Sequence, residues 1–177
     1  MPRCKNCKNK FEAVRFNQKF CLDAECVRVW VESEKAKQWK VKKQKMQQEL
    51  ETVQDFMNMT QVVFNRFIRE RDKHENCISC GKHINGVRHA SHYLSAGGHS
   101  NVRYHEDNVW VSCYKCNVML SGNQVEYRKR LIDKIGIERV EWLESNGATE
   151  RRYTKEELRE IMKEYKQKVK ELENGNK

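Results

Sequence analysis

Eight cysteines and six histidines are the residues of this chain whose types and spacing could do chemistry. The cysteines fall as four pairs, Cys4/Cys7, Cys21/Cys26, Cys77/Cys80 and Cys113/Cys116, with none left over. Four thiolates from two such pairs make the soft tetrahedral donor set of a structural Zn²⁺ site. The spacing therefore predicts two structural zinc ions, one on Cys4, Cys7, Cys21 and Cys26 and one on Cys77, Cys80, Cys113 and Cys116. A four-cysteine site is closed to water and holds structure rather than catalysing. The histidines all lie between His74 and His105, and "RHASHY" sets His89 and His92 inside the second cysteine cluster. Imidazole is largely neutral at cellular pH, so it can take a proton or bind a metal there. His74, His83 and His99 sit in polar sequence and are expected on the surface.

The elements that must position these groups follow from composition and periodicity. Hydrophobic residues are 38% and charged residues 34% of the 177, too lean for one large core and suited to small metal-supported modules. The basic start lacks the apolar segment of a secretory signal, and no run of about 18 apolar residues exists to span a membrane. A cytoplasmic protein with reduced thiols is the expectation. The formal charge of +10 falls to about +6 once eight thiolates hold two zinc ions, which favours an acidic partner, nucleic acid above all.

Residues 1–27 form an N-terminal zinc ribbon or knuckle, with room between Cys7 and Cys21 for a short hairpin bearing Phe11, Val14 and Phe16. Residues 28–74 form a basic helical linker and a packing helix, and the six lysines from Lys35 to Lys45 mark the linker as a solvated helix or a tether. The packing helix has its apolar face set by Val53, Phe56, Met57, Thr60, Phe64, Phe67 and Ile68. Residues 75–124 hold the second cluster, whose cysteine pairs are separated by 32 residues where a plain zinc ribbon has about 15–20. That length accommodates a strand through "GVRHASHY", a loop at Gly97 and Gly98, a strand through "DNVWVS" and a helix starting near Asn117. Residues 125–177 read as helices: "GNQVEYRKRLIDKIG" closed by Gly136, a short one around Arg139 to Glu144, and a last one opened by the capping box of Thr154 and Glu157. The fold class is α+β and mostly helical.

The order of C-x2-C, histidine, glycine loop and "DNVWVSCYKCN" resembles a zinc-stapled HNH (His-Me finger) nuclease, with Asn117 placed as in junction resolvases of the endonuclease VII type. "CKNCKNKF", "FIRERD", "CISCG", "SHY", "CYKCN", "SGN" and "LIDKIG" together resemble the lambda NinG/Rap recombination-protein family over most of the chain. That resemblance implies a ββα-metal module that cleaves branched DNA such as Holliday junctions, in phage or prophage recombination. It implies His92 as the base that activates water. Asn108 would hold the loop and orient His92 by a side-chain amide bond, and Asn117 would ligate a catalytic Mg²⁺ or Mn²⁺. HNH enzymes carry an acid or histidine just before the base; here it is Ser91, so the second ligand is left open between His89, given a bulged strand, and His105 or Asp107. Arg88, Arg103, Arg128, Lys129 and Arg130 are the expected phosphate contacts, together with the Lys35 to Lys45 run. Paired cuts would suit a homodimer. Two other classes compete: a non-catalytic zinc protein that binds DNA, favoured by Ser91, and an adaptor that binds proteins through its zinc modules and helices.

Overall fold

The apolar face that begins at Val53 forms α2 (Val53–Arg71), in a computed structural model that describes residues 1–175 apart from the side chains of 47–49. The last two residues of the expected 125–177 region lie outside the described residues. α2 starts at a capping box: Asp55 N donates to the Thr52 hydroxyl at 3.2 Å, and Thr52 N donates to the Asp55 carboxylate at 2.8 Å. α2 lies against α5 (Lys155–Asn174), which opens with the capping box expected of Thr154 and Glu157. Phe64, fully buried on α2, meets the Tyr165 ring edge-on at 4.7 Å. Helices α1 (Ala24–Leu50), α3 (Gln124–Ile135) and α4 (Ile137–Gly147) complete the set. Gly136, at φ +85, ends α3 and leads into α4, which runs longer than the Arg139 to Glu144 expectation.

Strands β1 (His89–His92) and β2 (Val109–Ser112) pair antiparallel, His89 opposite Ser112 and His92 opposite Val109, with no bulge. Period-two alternation sends Ala90, Val109 and Val111 into the α2–α5 core. Trp110 turns the other way, towards Tyr127 and Leu131 of α3 and Val140 and Leu143 of α4. The two-stranded sheet is thus buried on both faces, which fixes its register.

The outer edge of β2 is closed by side chains. Arg71 donates to Val109 O at 2.8 Å and to Glu106 O at 3.1 Å, and Val111 N donates to the Asp72 carboxylate at 3.2 Å. Arg71 and Asp72 are themselves joined at 2.6 Å, and the guanidinium lies 4.1 Å from the Trp110 ring. The pair ending "FIRERD" takes the place of a third strand.

The chain divides into two compact units, residues 1–51 and Thr52 onward, so the boundary falls inside the expected 28–74 segment. In the first unit the expected hairpin does not form: Arg3 and Lys10 make one isolated bridge, and Val14 and Phe16 are exposed. Clustered thiols, rather than apolar side chains, organise this unit. α1 is a continuous helix through the lysine run, its entry capped by the Asp23 carboxylate on Glu25 N at 3.0 Å. Among the described residues no helix is long and apolar enough to cross a membrane.

Each cysteine cluster opens on a turn of the same kind. Gly81 N donates to Cys77 O at 2.8 Å and Cys77 N to Lys82 O at 2.9 Å; Lys8 N donates to Cys4 O at 3.0 Å and Cys4 N to Asn9 O at 2.9 Å. The turn needs a left-handed residue, supplied by Gly81 at φ +69 but by Lys8 at φ +65. A side chain there costs about 1–2 kcal/mol, and glycine gives back about 0.4–1 kcal/mol in unfolded-state entropy. Lys8→Gly is therefore expected to stabilise the first site by about 0.5 kcal/mol. A roughly twofold rise in resistance to a zinc chelator at that site would register it.

Candidate functional site

The four sulfurs of each expected zinc site converge, all within 4.8 Å of one another. Tetrahedral zinc with Zn–S of about 2.3 Å requires sulfurs about 3.8 Å apart. Cys7 and Cys21 lie at 3.8 Å and Cys80 and Cys113 at 4.0 Å, so both thiol sets could hold a structural zinc. Burial raises the Cys77 thiol, but N–H groups of Cys113, Cys80 and Ser79 outweigh it and bring it to about 7. One ligand is thus ready to ionise at neutral pH, as metal binding demands. Among the described residues, these two sets are the only groups of three or more Cys, His, Asp or Glu side chains placed to share a metal.

His92 ends β1 and is half-buried. Its Nε2 lies 3.0 Å from Arg103 O, so Nε2 carries the proton and Nδ1 keeps its lone pair. Nδ1 has no hydrogen-bond partner among the described residues. Burial holds the ring below the ordinary histidine value, against the Arg103 carbonyl, which raises it; the Arg103 charge lowers it further. His92 is neutral at pH 7 and proton-accepting at one defined nitrogen.

Asn108, fully buried, clasps the loop that follows. Its Oδ1 accepts from Leu94 N at 2.8 Å, and its Nδ2 donates to Leu94 O and Val102 O at 3.0 Å each. Both amide hydrogens are taken by loop carbonyls, so the expected amide bond to His92 is absent. Arg103 O orients the ring instead, and the clasp fixes the loop just before it. Arg103 is held in turn through Nε on Gln61 Oε1 at 3.0 Å.

The expected second ligands are placed elsewhere. In the unbulged strand His89 lies on the face opposite His92, its ring 5.9 Å from Tyr114. His105 stacks on Trp142 at 4.9 Å and accepts from Asp107 N, while the Asp107 carboxylate is engaged by Arg139. Ser91 is buried and its carbonyl accepts from the Tyr127 hydroxyl. Asn117 sits on a π-helical turn, Lys115–Met119, that leaves the hairpin at the His89 end, about 10 Å along β1 from His92. Its side chain has no hydrogen-bond partner among the described residues.

Comparison of the whole chain decides its kinship: the family model described as "Bacteriophage Lambda NinG protein" matches residues 1–176. The chain belongs to the NinG family. It is 41% identical over 120 residues to "Protein ninG" of Escherichia phage lambda, covering 68% of this chain and 58% of that protein. The "Protein ninG" sequences of Salmonella phage P22 and Enterobacteria phage H19B are 39% and 38% identical over the same length. Matched regions span less than two thirds of these relatives. No solved structure matches.

In this NinG chain the expected phosphate contacts divide. Arg128 is clamped on Glu144 at 2.7 and 3.1 Å, with Tyr93 also donating to Glu144. The pair is partly exposed, with the Arg128 side chain 42% accessible. Arg88 donates to Glu75 O at 2.6 Å, Lys129 pairs with Glu126 at the surface, and the Arg130 guanidinium lies over Gly81. His99, expected on the surface, is half-buried with Nδ1 at 2.9 Å from Gly147 O. Sequence reasoning passed over Gln61 and Glu144 altogether; a polar residue on an otherwise apolar helix carries no signal of its distant partner.

Proposed function

We propose that this NinG-family protein is a metal-dependent, structure-selective DNA endonuclease of phage recombination, acting in the host cytoplasm on branched DNA such as Holliday junctions. The observation that carries the reading is His92: a desolvated imidazole with its tautomer set by Arg103 O, its Nδ1 unpartnered, and the loop beside it clasped by Asn108. Nδ1 takes a proton from water, the water oxygen attacks phosphorus, and the bond to the 3′ oxygen breaks; that oxygen takes a proton from solvent, giving 5′-phosphate and 3′-hydroxyl ends. Asn117 is the proposed ligand of a Mg²⁺ or Mn²⁺ that would stabilise charge on the leaving oxygen. The Arg103 guanidinium, held by Gln61, is a proposed contact for a phosphate oxygen. Arg88, Lys129, Arg130 and the Lys35 to Lys45 run supply phosphate contacts without base readout, and paired cuts would call for a homodimer.

The test is a panel of Holliday junction, flap and linear duplex with zinc-loaded protein in Mg²⁺ or Mn²⁺, run beside His92→Ala. Cutting of branched substrates by the wild type alone supports the proposal; no cutting, or equal cutting by the variant, ends it. A second reading, a zinc protein that binds DNA without cutting it, is favoured because, among the described residues, no group of three or more Cys, His, Asp or Glu side chains placed to share a metal includes His92. Binding that weakens steeply with salt, without cleavage, would select it.

The lowered His92 value sets the pH dependence. A base protonated only below about 6.5 stays active into mildly acid solution, so the acid limb of kcat/KM is expected below that pH. The same shift makes the unfolded chain bind the proton first as pH falls, so His92 lowers folding stability on that side too. An acid limb at or above 6.5 would remove His92 from the base role.

A further inference from the structure

Phe16 is 97% exposed and Val14 73% exposed, on a turn that nothing in the catalytic proposal uses. An aromatic ring so far out in water is ordinarily lost to a floppy tip, but this one is braced. Gln18 Oε1 accepts from Val14 N at 2.9 Å, Gln18 N donates to Arg15 O at 3.2 Å, and Gln18 Nε2 donates to Phe20 O at 2.8 Å. Asn17 sits at φ +63, a conformation asparagine tolerates better than most residues. Beyond the turn, Lys5 N donates to Lys19 O at 2.9 Å and Cys21 N to the Cys4 sulfur at 3.4 Å, which ties the tip to the zinc knuckle. The turn that carries the ring is therefore tied by hydrogen bonds to the four-cysteine cluster.

The charges around it name the partner. Residues 1–20 carry Arg3, Lys5, Lys8, Lys10, Arg15 and Lys19 against the single carboxylate of Glu12. None of these six cations forms an ion pair among the described residues. A protein surface would require roughly 800 Å² of complementary area per partner, far more than Val14 and Phe16 offer. One flat ring flanked by cations matches a nucleobase face between phosphates.

We propose that the turn of residues 14–17 is a stacking wedge, in which Phe16 lies against an unpaired or unstacked nucleobase at a DNA branch while Arg15 and Lys19 hold the adjoining phosphates. Fully stacked duplex offers the ring no such face, so the wedge would select branched DNA before any cut is made. The inference rests on the DNA-binding part of the proposed function, not on cleavage.

The experiment uses the full-length zinc-loaded protein without Mg²⁺, a four-way junction carrying 2-aminopurine at the branch, and a duplex of equal length. Phe16→Ala is expected to weaken junction binding about tenfold and duplex binding less than twofold, with the 2-aminopurine response lost. Phe16→Trp is expected to retain both, and two zinc ions per chain would verify that each variant is folded. Wild-type preference for the junction that Phe16→Ala leaves unchanged, or lowers equally with duplex binding, overturns the wedge alone. Failure of the wild type to bind either DNA overturns the wedge together with the DNA-binding reading beneath it.

Discussion

His92→Ala is expected to lower the rate of junction cleavage by about 10²- to 10⁴-fold, the range supplied by a positioned general base. Junction affinity should change no more than a few-fold, because an imidazole kept neutral by burial contributes no charge to phosphate binding. The alanine variant also deprives Arg103 O of its ring N–H, worth about 1 kcal/mol of stability. His92→Gln separates the two effects: its amide N–H can restore the bond to Arg103 O but has no basic nitrogen. Both variants should bind and neither should cut. Single-turnover rates at saturating protein, beside binding without Mg²⁺, distinguish loss of the base from loss of the fold. Cleavage by His92→Gln within tenfold of wild type would remove the base role.

Asp72→Ala carries the largest expected loss of stability, about 3–5 kcal/mol. The carboxylate is 2% exposed and receives Val111 N as well as Arg71. Its removal leaves a largely desolvated guanidinium with only the more distant Glu106 carboxylate, at 4.0 Å, and an edge-strand N–H without an acceptor. Asp72→Asn should lose less, since an amide oxygen still accepts from Val111 N. In Arg71→Ala the stranded group is instead the buried carboxylate. A double-mutant cycle by urea unfolding of the zinc-loaded protein should show strong coupling between positions 71 and 72. Additive losses would mean that the pair does not close the edge of β2 as a unit.

Legibility from sequence followed the range of the interactions involved. The cysteine sets and the α2 and α5 stripes could be read because ligand spacing and helical period are local properties. The capping box of α5 was readable in the same way, whereas that of α2 was not read, because it uses Asp55 where glutamate or glutamine is usual. Arg71 and Asp72 stood out only as part of a family motif, and their work on a strand 38 residues away leaves no periodic trace. The Arg128 pairing was equally out of reach: three basic residues in a row give no sign that α4 brings Glu144 against one of them. Asn108 was legible as a holder of the loop, but its amide has no capacity left for His92 once Leu94 and Val102 are satisfied. The hairpin expected around Phe11, Val14 and Phe16 failed because apolar residues signal a fold only where something buries them.

Cys26 gives α1 a further property. It stands in the first turn of that 27-residue helix, and it is the one residue of α1 buried among the described side chains. Helix nucleation is the costly step, and a long polar helix has little apolar packing to offset it. Binding a metal through Cys26 would hold that first turn in place. Zinc supply would then set mechanical stiffness: a rod of about 40 Å when the site is loaded, and a helix free to fray from its first turn when it is stripped.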